Sequence, residues 1–259
     1  MESCGYPGKE IKSKPAEIAR ARARLLWNRR RPDSGRNRAL ITVATGSEFL
    51  DILMLTRPFM QEYCERVNAD LIDLTNHTEH WAPMEKFRVR YFAEHYDEVL
   101  FVDTDAVITD RCPNLFEMHK EDIVIHEDWP KLRTVQWLFR ERHAVAAQSG
   151  APIDANLRTC LNSGIILTRH SARSIWDRPT VQIGTTHCAE QIWLEHKILN
   201  MVNCGAAKLG HLDSRANWQW WFSNHSRGFF ESGLSEAWIV HFANAPNKCK
   251  TIREFIETL

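Results

Sequence analysis

No Cys-x-x-Cys pair occurs in the chain, whose seven cysteines are scattered at long spacings. That excludes a zinc ribbon and a disulfide framework, and it fits thiols kept reduced. The N-terminal region has no apolar run long enough for a signal peptide or a membrane span, because residues 1–17 are mostly polar and charged. A cytoplasmic protein is therefore expected. Net charge is lacking too: 33 basic and 33 acidic residues cancel within 259. Nothing in that balance points to nucleic acid as a partner. What the chain does have is apolar surface, with 44% hydrophobic residues, ten Trp and twelve Phe. This suffices for a sizeable core and is too much for a disordered chain.

The zero sum hides an asymmetry. Residues 1–38 hold eleven Lys and Arg against four acids, so an arm of +7 precedes a body, residues 39–259, of −7. Residues 16–31 (AEIARARARLLWNRRR) contain no Gly or Pro, and they predict a basic helix with Ile18, Leu25 and Leu26 toward one side. Pro32, Asp33, Ser34 and Gly35 break it. A packed or solvated helix is the plainer expectation; peripheral attachment to an anionic membrane surface is the sharper one.

From residue 39 strands alternate with helices. Residues 39–44 (ALITVA) read as a strand ending at Thr45-Gly46, 49–68 as a helix, 69–74 as a second strand and 84–95 as a helix. Residues 98–108 (EVLFVDTDAVI) are a run of strand formers interrupted by two carboxylates. This alternation predicts the α/β class, with crossover helices over a parallel sheet. Ligands in such sheets sit at the carboxyl ends of strands, which points to Thr45, Gly46 and the segment 103–105.

Asp103 and Asp105 follow four residues of buried type, and as strand residues they would point the same way. Two like charges held together are costly unless a cation neutralises them. Magnesium or manganese is the natural ion for oxygen ligands. A strand-capping Asp103 beside a solvated Asp105 is the plainer alternative. Residues 103–107 (DTDAV) also match the D-x-D-x-[TV] motif of haloacid-dehalogenase phosphatases, in which the first Asp is a nucleophile beside magnesium. That motif usually lies near the N-terminus and needs a later acidic pair. Here about sixty residues of strand and helix precede it, and no strand of the C-terminal half ends in two acids.

Five further segments accompany the carboxylates. Lys86 opens the helix that leads to them. Residues 160–167 (CLNSGIIL) place Asn162, Ser163 and Gly164 at the start of an apolar strand, and Glu190-Gln191 starts an amphipathic helix. Residues 212–217 (LDSRAN) come next, and Val240-His241-Phe242-Ala243-Asn244 with Lys248 closes the series. In this order the chain resembles the GT-A-fold, nucleotide-sugar-dependent glycosyltransferases. It is similar to the glycogenin and lipopolysaccharide galactosyltransferase group and, in Glu190-Gln191, to a yeast-type α-galactosyl/mannosyltransferase group. The likeness runs from 86 to 248, with departures: Glu190 stands where Asp is usual, Asp213 where Pro is, Ala216 where an aromatic is, and Asn244 where Gly is.

The resemblance implies a GT-A domain over residues 39–259, with a mixed, mainly parallel sheet flanked by helices, behind the basic arm of 1–38. It implies a Mn2+ or Mg2+ ion on Asp103, Asp105 and His241 that neutralises the donor's diphosphate as the sugar bond breaks. From its strand alone, His241 reads as a core histidine; the order of motifs makes it a ligand. Lys248 and Lys86 would reach phosphate or sugar, although each also reads as a solvated lysine. Thr45 and Gly46 would border base and ribose, with Thr104 between the two carboxylates. Asn162, Ser163 and Gly164 would meet sugar hydroxyls, the glycine allowing close backbone approach. Glu190 and Gln191 would lie on the reacting face of the sugar, where they stabilise a developing oxocarbenium ion, although acids are also simply good first-turn residues. Catalysis is thus expected from Glu190, Gln191 and Asn162, with the donor's own phosphate oxygen taking the acceptor proton.

The expected function is metal-dependent transfer of a hexosyl group from a nucleoside diphosphate sugar, UDP-linked, to a hydroxyl of a glycan, protein or other acceptor, with retention of configuration. The phosphatase and a non-catalytic nucleotide-sugar or glycan-binding protein are the alternatives. Two segments stay open: the aromatic run 218–222 (WQWWF), as core or as a platform for sugar rings, and 126–129 (HEDW), which follows a strand at 122–125 and whose acids could touch donor or acceptor hydroxyls without a motif to support it. A body of −7 is a poor anion trap, so its diphosphate site must depend on a bound cation and a few local lysines.

Overall fold

The structure is a computed structural model and describes residues 35–76, 82–128, 135–154, 157, 159–180, 183, 188–220 and 233–259. The basic helix expected over 16–31, and Trp221 and Phe222, lie outside the described residues.

Strand β1 (Arg38–Val43) leads through Gly46, whose φ of 87° suits only glycine at low cost, into helix α1 (Ser47–Val67). The helix buries Ile52, Leu53, Thr56, Met60, Tyr63, Cys64 and Val67, a stripe at intervals of three and four, and stops at Asn68 in the left-handed conformation. Strand β2 (Asp70–Leu74), a 3-10 turn (Ala82–Arg88) and helix α2 (Val89–Ala93) precede β3 (Glu98–Val102) and β4 (Ala106–Ile108). Then come α3 (Leu115–Met118), β5 (Ile123–Glu127), α4 (Val135–Ser149), β6 (Leu161–Arg169), α5 (Ala189–Asn203) and β7 (Leu209–His211). Strands β8 (Trp218–Gln219) and β9 (Ile239–His241) and helix α6 (Lys248–Ile256) follow.

The large sheet has the order β2-β1-β3-β6-β5-β7. It is mixed and mostly parallel: β1 pairs in parallel with β2 and β3, and β5 with β7, while β6 runs antiparallel to both β3 and β5. Period two sends neighbouring residues to opposite faces. Ile41, Phe101 and Ile166 pack on one face with Phe92 of α2 and Leu194 and Ile198 of α5. Leu40, Leu100 and Ile165 pack on the other with Met60 and Tyr63 of α1 and Phe116 of α3. Coverage of both faces explains why these strands read as continuous apolar runs.

The run 98–108 is not one strand. Ala106 N–H donates to the Asp103 carbonyl at 3.1 Å, closing a turn, and the chain leaves the large sheet for a small one ordered β4-β9-β8. The two carboxylates therefore lie in a turn between sheets, not on a strand face. The helix expected over 84–95 likewise begins as the 3-10 turn. Of the aromatic run, Trp218 is buried and Trp220 stacks on Phe242 with ring centres 5.1 Å apart, so both belong to the core under the small sheet. They do not form an open sugar platform.

A buried ion pair ties the site's framework together. Arg142 on α4 is 1% exposed and donates to Glu195 on α5 (Nε to Oε2, 3.1 Å) and to the carbonyls of Leu157 and Thr159. The second Glu195 oxygen accepts the Leu161 N–H at 3.1 Å, so the start of β6 is held to both helices. Removing one partner of such a pair typically costs about 3–5 kcal/mol. Among the described residues, no helix is long and apolar enough to cross a membrane.

Candidate functional site

A cavity of about 340 Å³ opens where the carboxyl ends of β1 and β3, the start of β6, the first turn of α5 and the end of β9 converge. Every residue expected at the site lines it except Gly46, which stands beside it as the residue before α1. Phe49 on α1, 37% exposed, adds an aromatic ring that the sequence did not single out.

Asp103, Asp105 and His241 each present a ligand atom, and these atoms lie within 4.8 Å of one another. The His241 Nε2 is 3.7 Å from Asp103 Oδ2 and 3.5 Å from Asp105 Oδ1. Those separations are wider than ordinary hydrogen bonds and suit ligands placed around one divalent ion. Two carboxylates and an imidazole form a donor set that fits manganese or magnesium. The cluster arises from topology: β4 pairs with β9 so that Ala106 faces His241, and Phe242 N–H donates to the Asp105 carbonyl at 2.8 Å. His241 Nδ1 lies 2.9 Å from the Asn217 side-chain oxygen.

Two lysines balance the carboxylates. The Lys86 ammonium lies 3.1 Å from Asp103 Oδ1, 3.1 Å from Ser163 Oγ and 3.4 Å from Glu190 Oε1. Burial alone would lower its pKa, but Asp103 and Glu190 outweigh burial and raise it, so this lysine is charged. Lys248, the first residue of α6, places its ammonium on Asp105 Oδ2. Burial works to raise the Asp105 pKa, yet His241 and Lys248 overcome it and hold that carboxyl well below the usual range. Asp103 goes the other way: burial pushes it up, Asp105 adds to the rise, and Lys86 only partly offsets it.

The remaining expected residues divide by what their polar atoms touch. Glu190 accepts from Ser163 Oγ at 3.2 Å through Oε1, while its buried Oε2 has no hydrogen-bond partner. That oxygen is an unfilled acceptor closed to solvent just behind the cavity wall. Gln191 faces β6: its Oε1 accepts from Ser163 N–H at 3.4 Å and its amide lies 3.5 Å from Cys160 Sγ. Asn162 bridges Asp128 Oδ2 at 3.1 Å and Gly164 N–H at 2.9 Å. The Thr104 hydroxyl turns inward to the Val43 carbonyl, and its own carbonyl accepts from Thr56 Oγ1 at 2.8 Å. Thr45 is buried in the cavity wall. At Gly164 the close approach comes from within the protein: a Cβ there would stand 2.3 Å from His241 Cε1 and 2.9 Å from Nδ1.

Two residues carry more of this site than the sequence indicated. Asp128, just beyond β5, is buried and joins Asn162 of the large sheet to Gln219 of the small one. Its position at a strand's carboxyl end was the available signal. Asn217 closed a recognised segment, but nothing in its spacing pointed to His241.

The fold so built defines a class. No family model matches the chain, and no curated sequence does so either. Solved structures do match. The chain is similar to a glycosyltransferase involved in the glycosylation of the major capsid of PBCV-1, at 12% identity over 85% of this chain and 100% of that one, with a TM-score of 0.53. It is also similar to the apo structure of WbbM, a bifunctional glycosyltransferase, at 10% identity over 83% of this chain and 47% of that one, with a TM-score of 0.50. The chain thus spans about half the length of WbbM. The likeness is one of fold: the GT-A glycosyltransferase fold that the sequence motifs resemble is the fold of this chain.

Proposed function

We propose that this chain is a metal-dependent glycosyltransferase that moves a hexosyl group from a UDP-sugar to a hydroxyl acceptor with retention of configuration, residues 39–259 forming the catalytic unit. The observation that carries the reading is the convergence of Asp103, Asp105 and His241 with two lysine ammoniums in one cavity. A divalent ion held by the three ligands, manganese or magnesium, would supply Lewis-acid neutralisation of the diphosphate. Lys86 and Lys248 offer ammoniums to phosphate oxygens and share the charge that grows on the leaving group. The Glu190 carboxylate, in the cavity wall, stabilises positive charge at the anomeric carbon. In the transfer the bond from the anomeric carbon to the diphosphate breaks, the acceptor oxygen bonds to that carbon, and the acceptor proton passes to the departing diphosphate oxygen. No strong protein base is required. The acceptor would be a hydroxyl of a glycan or protein.

The dehalogenase-type phosphatase is not favoured: the fold matches glycosyltransferases, and the third group beside the two aspartates is an imidazole. Turnover of a panel of UDP- and GDP-sugars with manganese, comparing wild type with Asp105→Ala, tests the proposal. Manganese-dependent release of UDP that the variant lacks is expected. Equal turnover by the variant, or none by wild type with any donor, contradicts it; metal-dependent UDP binding without turnover would mark a binding protein instead.

A further inference from the structure

We propose that Thr56 of α1 is a positioning residue for the metal site: its buried hydroxyl holds the carbonyl of Thr104 and so fixes the turn that aims Asp103 and Asp105 at one ion. The inference rests on the reading of those carboxylates as metal ligands, and Thr56 acts on them through the backbone between them. A carbonyl can only accept, so the 2.8 Å contact has one direction, from the Thr56 hydroxyl to the Thr104 oxygen. A threonine in mid-helix ordinarily bonds the carbonyl four residues back. Here that contact, to Ile52, is 3.3 Å, and the single proton serves the shorter bond. Thr56 is wholly buried in a stretch of α1 that otherwise buries Ile52, Leu53 and Met60. Valine would fill the same place, so packing alone does not call for a hydroxyl.

The bond falls on the softest part of the turn. Its ends are fixed by the two sheets: Asp103 N–H donates to the Gly164 carbonyl at 2.7 Å, and Phe242 N–H to the Asp105 carbonyl at 2.8 Å. Ala106 N–H closes the turn on the Asp103 carbonyl, which leaves a central peptide running from the Thr104 carbonyl to the Asp105 N–H. Turns of type I and type II share that closing bond and differ by reversal of this peptide. Reversal would change the ψ of Thr104 and the φ of Asp105, and so redirect the Asp105 carboxylate. Among the described residues other than glycine, positive φ occurs at Asn68, Asn244 and Asn247, so Asp105 does not take the type II form. The Thr104 hydroxyl, on the Val43 carbonyl and 3.2 Å from Thr42 Oγ1, ties the same residue to β1. Helix α1 thus reaches the ligand pair through one hydrogen bond to the peptide that could turn over.

Two substitutions in the full-length protein separate the hydroxyl from the packing. Thr56→Val keeps the shape and removes the hydroxyl; Thr56→Ser keeps the hydroxyl and removes a methyl. With Mn2+ binding read from the EPR signal of the free ion, Thr56→Val should bind about tenfold more weakly and Thr56→Ser within about twofold of wild type. In the metal-free protein the Thr104 carbonyl 13C signal should move upfield in Thr56→Val, as its hydrogen bond is lost, and stay in place in Thr56→Ser. Thr56→Val with unchanged Mn2+ affinity would overturn the proposal. So would Thr56→Ser binding as weakly as Thr56→Val or more weakly, which is the order that packing predicts. If Thr56→Val does not fold, Thr56→Ser and Thr56→Cys, whose thiol is a weak donor, still decide, since equal Mn2+ affinity in those two would overturn the proposal. No Mn2+ binding by wild type, with the Thr104 carbonyl shifting as stated, would contradict the metal site and leave the turn assignment standing.

Discussion

Asp103 and Asp105 are one residue apart and belong to opposite halves of the molecule. Asp103 is the more exposed, with 23% of its side chain open against 7% for Asp105, and it meets Lys86 of the 3-10 turn beside the large sheet. Asp105 sits against the small sheet, gripped by His241 of β9 and Lys248 of α6. The fold resists ionisation of the first and enforces ionisation of the second. A turn that passes between two sheets can thus give adjacent carboxylates opposite properties: one fixed anion, and one whose charge depends on what else is bound.

The comparison breaks most visibly at Asp105. Asp105→Asn should lower Mn2+ affinity and transfer at least about a hundredfold. Because the fold favours the ionised form of Asp105, the same change should reduce stability by about 3 kcal/mol, read from chemical denaturation. Asp103→Asn should lose transfer comparably yet cost less stability than Asp105→Asn, since the fold disfavours the Asp103 charge and Lys86, which loses that partner, keeps Glu190. Equal destabilisation by the two variants would erase the distinction. Next comes Gly164→Ala, whose methyl would collide with His241: Mn2+ affinity should fall about tenfold and stability by about 1–3 kcal/mol.

Acidification should separate the two carboxylates. The Asp103 pKa is raised above its ordinary 3.8 and that of Asp105 is lowered below it, so on lowering pH Asp103 takes up its proton first. The stabilisation from ionised Asp105 is present above the ordinary carboxylate pKa and is lost only as pH falls through its depressed value. Side-chain carboxyl 13C shifts of the metal-free protein, followed with pH alongside far-UV dichroism, should therefore show Asp103 taking up its proton above the usual carboxylate range while Asp105 stays ionised and the protein stays folded. An Asp103 that titrates at or below the ordinary carboxylate range would contradict its raised pKa. The smallest effect belongs to Lys248→Met. Freed of the ammonium on Asp105, the donor-free protein should bind Mn2+ a few-fold more tightly while UDP affinity falls, and weaker binding of both would show that Lys248 supports the ion rather than competing with it.

Much of this architecture was legible in the residues. Continuous apolar runs such as 98–102 announced strands buried on both faces, and the stripe of α1 announced its helix, because periodicity follows directly from backbone geometry. Thr45, Lys86, Asp103, Ser163, Glu190, His241 and Lys248 do reach one cavity. The reason Asp103 and Asp105 converge was not legible: the composition of 98–108 suits a strand throughout, and only the pairing of β4 with β9, from more than a hundred residues away, bends the chain at Asp103. Gly164 looked like an opening for a ligand, whereas its missing side chain makes room for His241. Asn217 and Asp128 lay in segments already noticed, but their partners were not legible for the same reason, since a polar side chain facing a partner distant in sequence leaves no local pattern.

The central claim is that a body of net negative charge holds a nucleoside diphosphate only through a cation on Asp103, Asp105 and His241. Isothermal titration of UDP into the protein with saturating Mn2+, and again after EDTA treatment and dialysis, measures it directly. At least about a hundredfold weaker UDP binding without the ion is the predicted result. UDP affinity that is the same with and without Mn2+ would contradict the account.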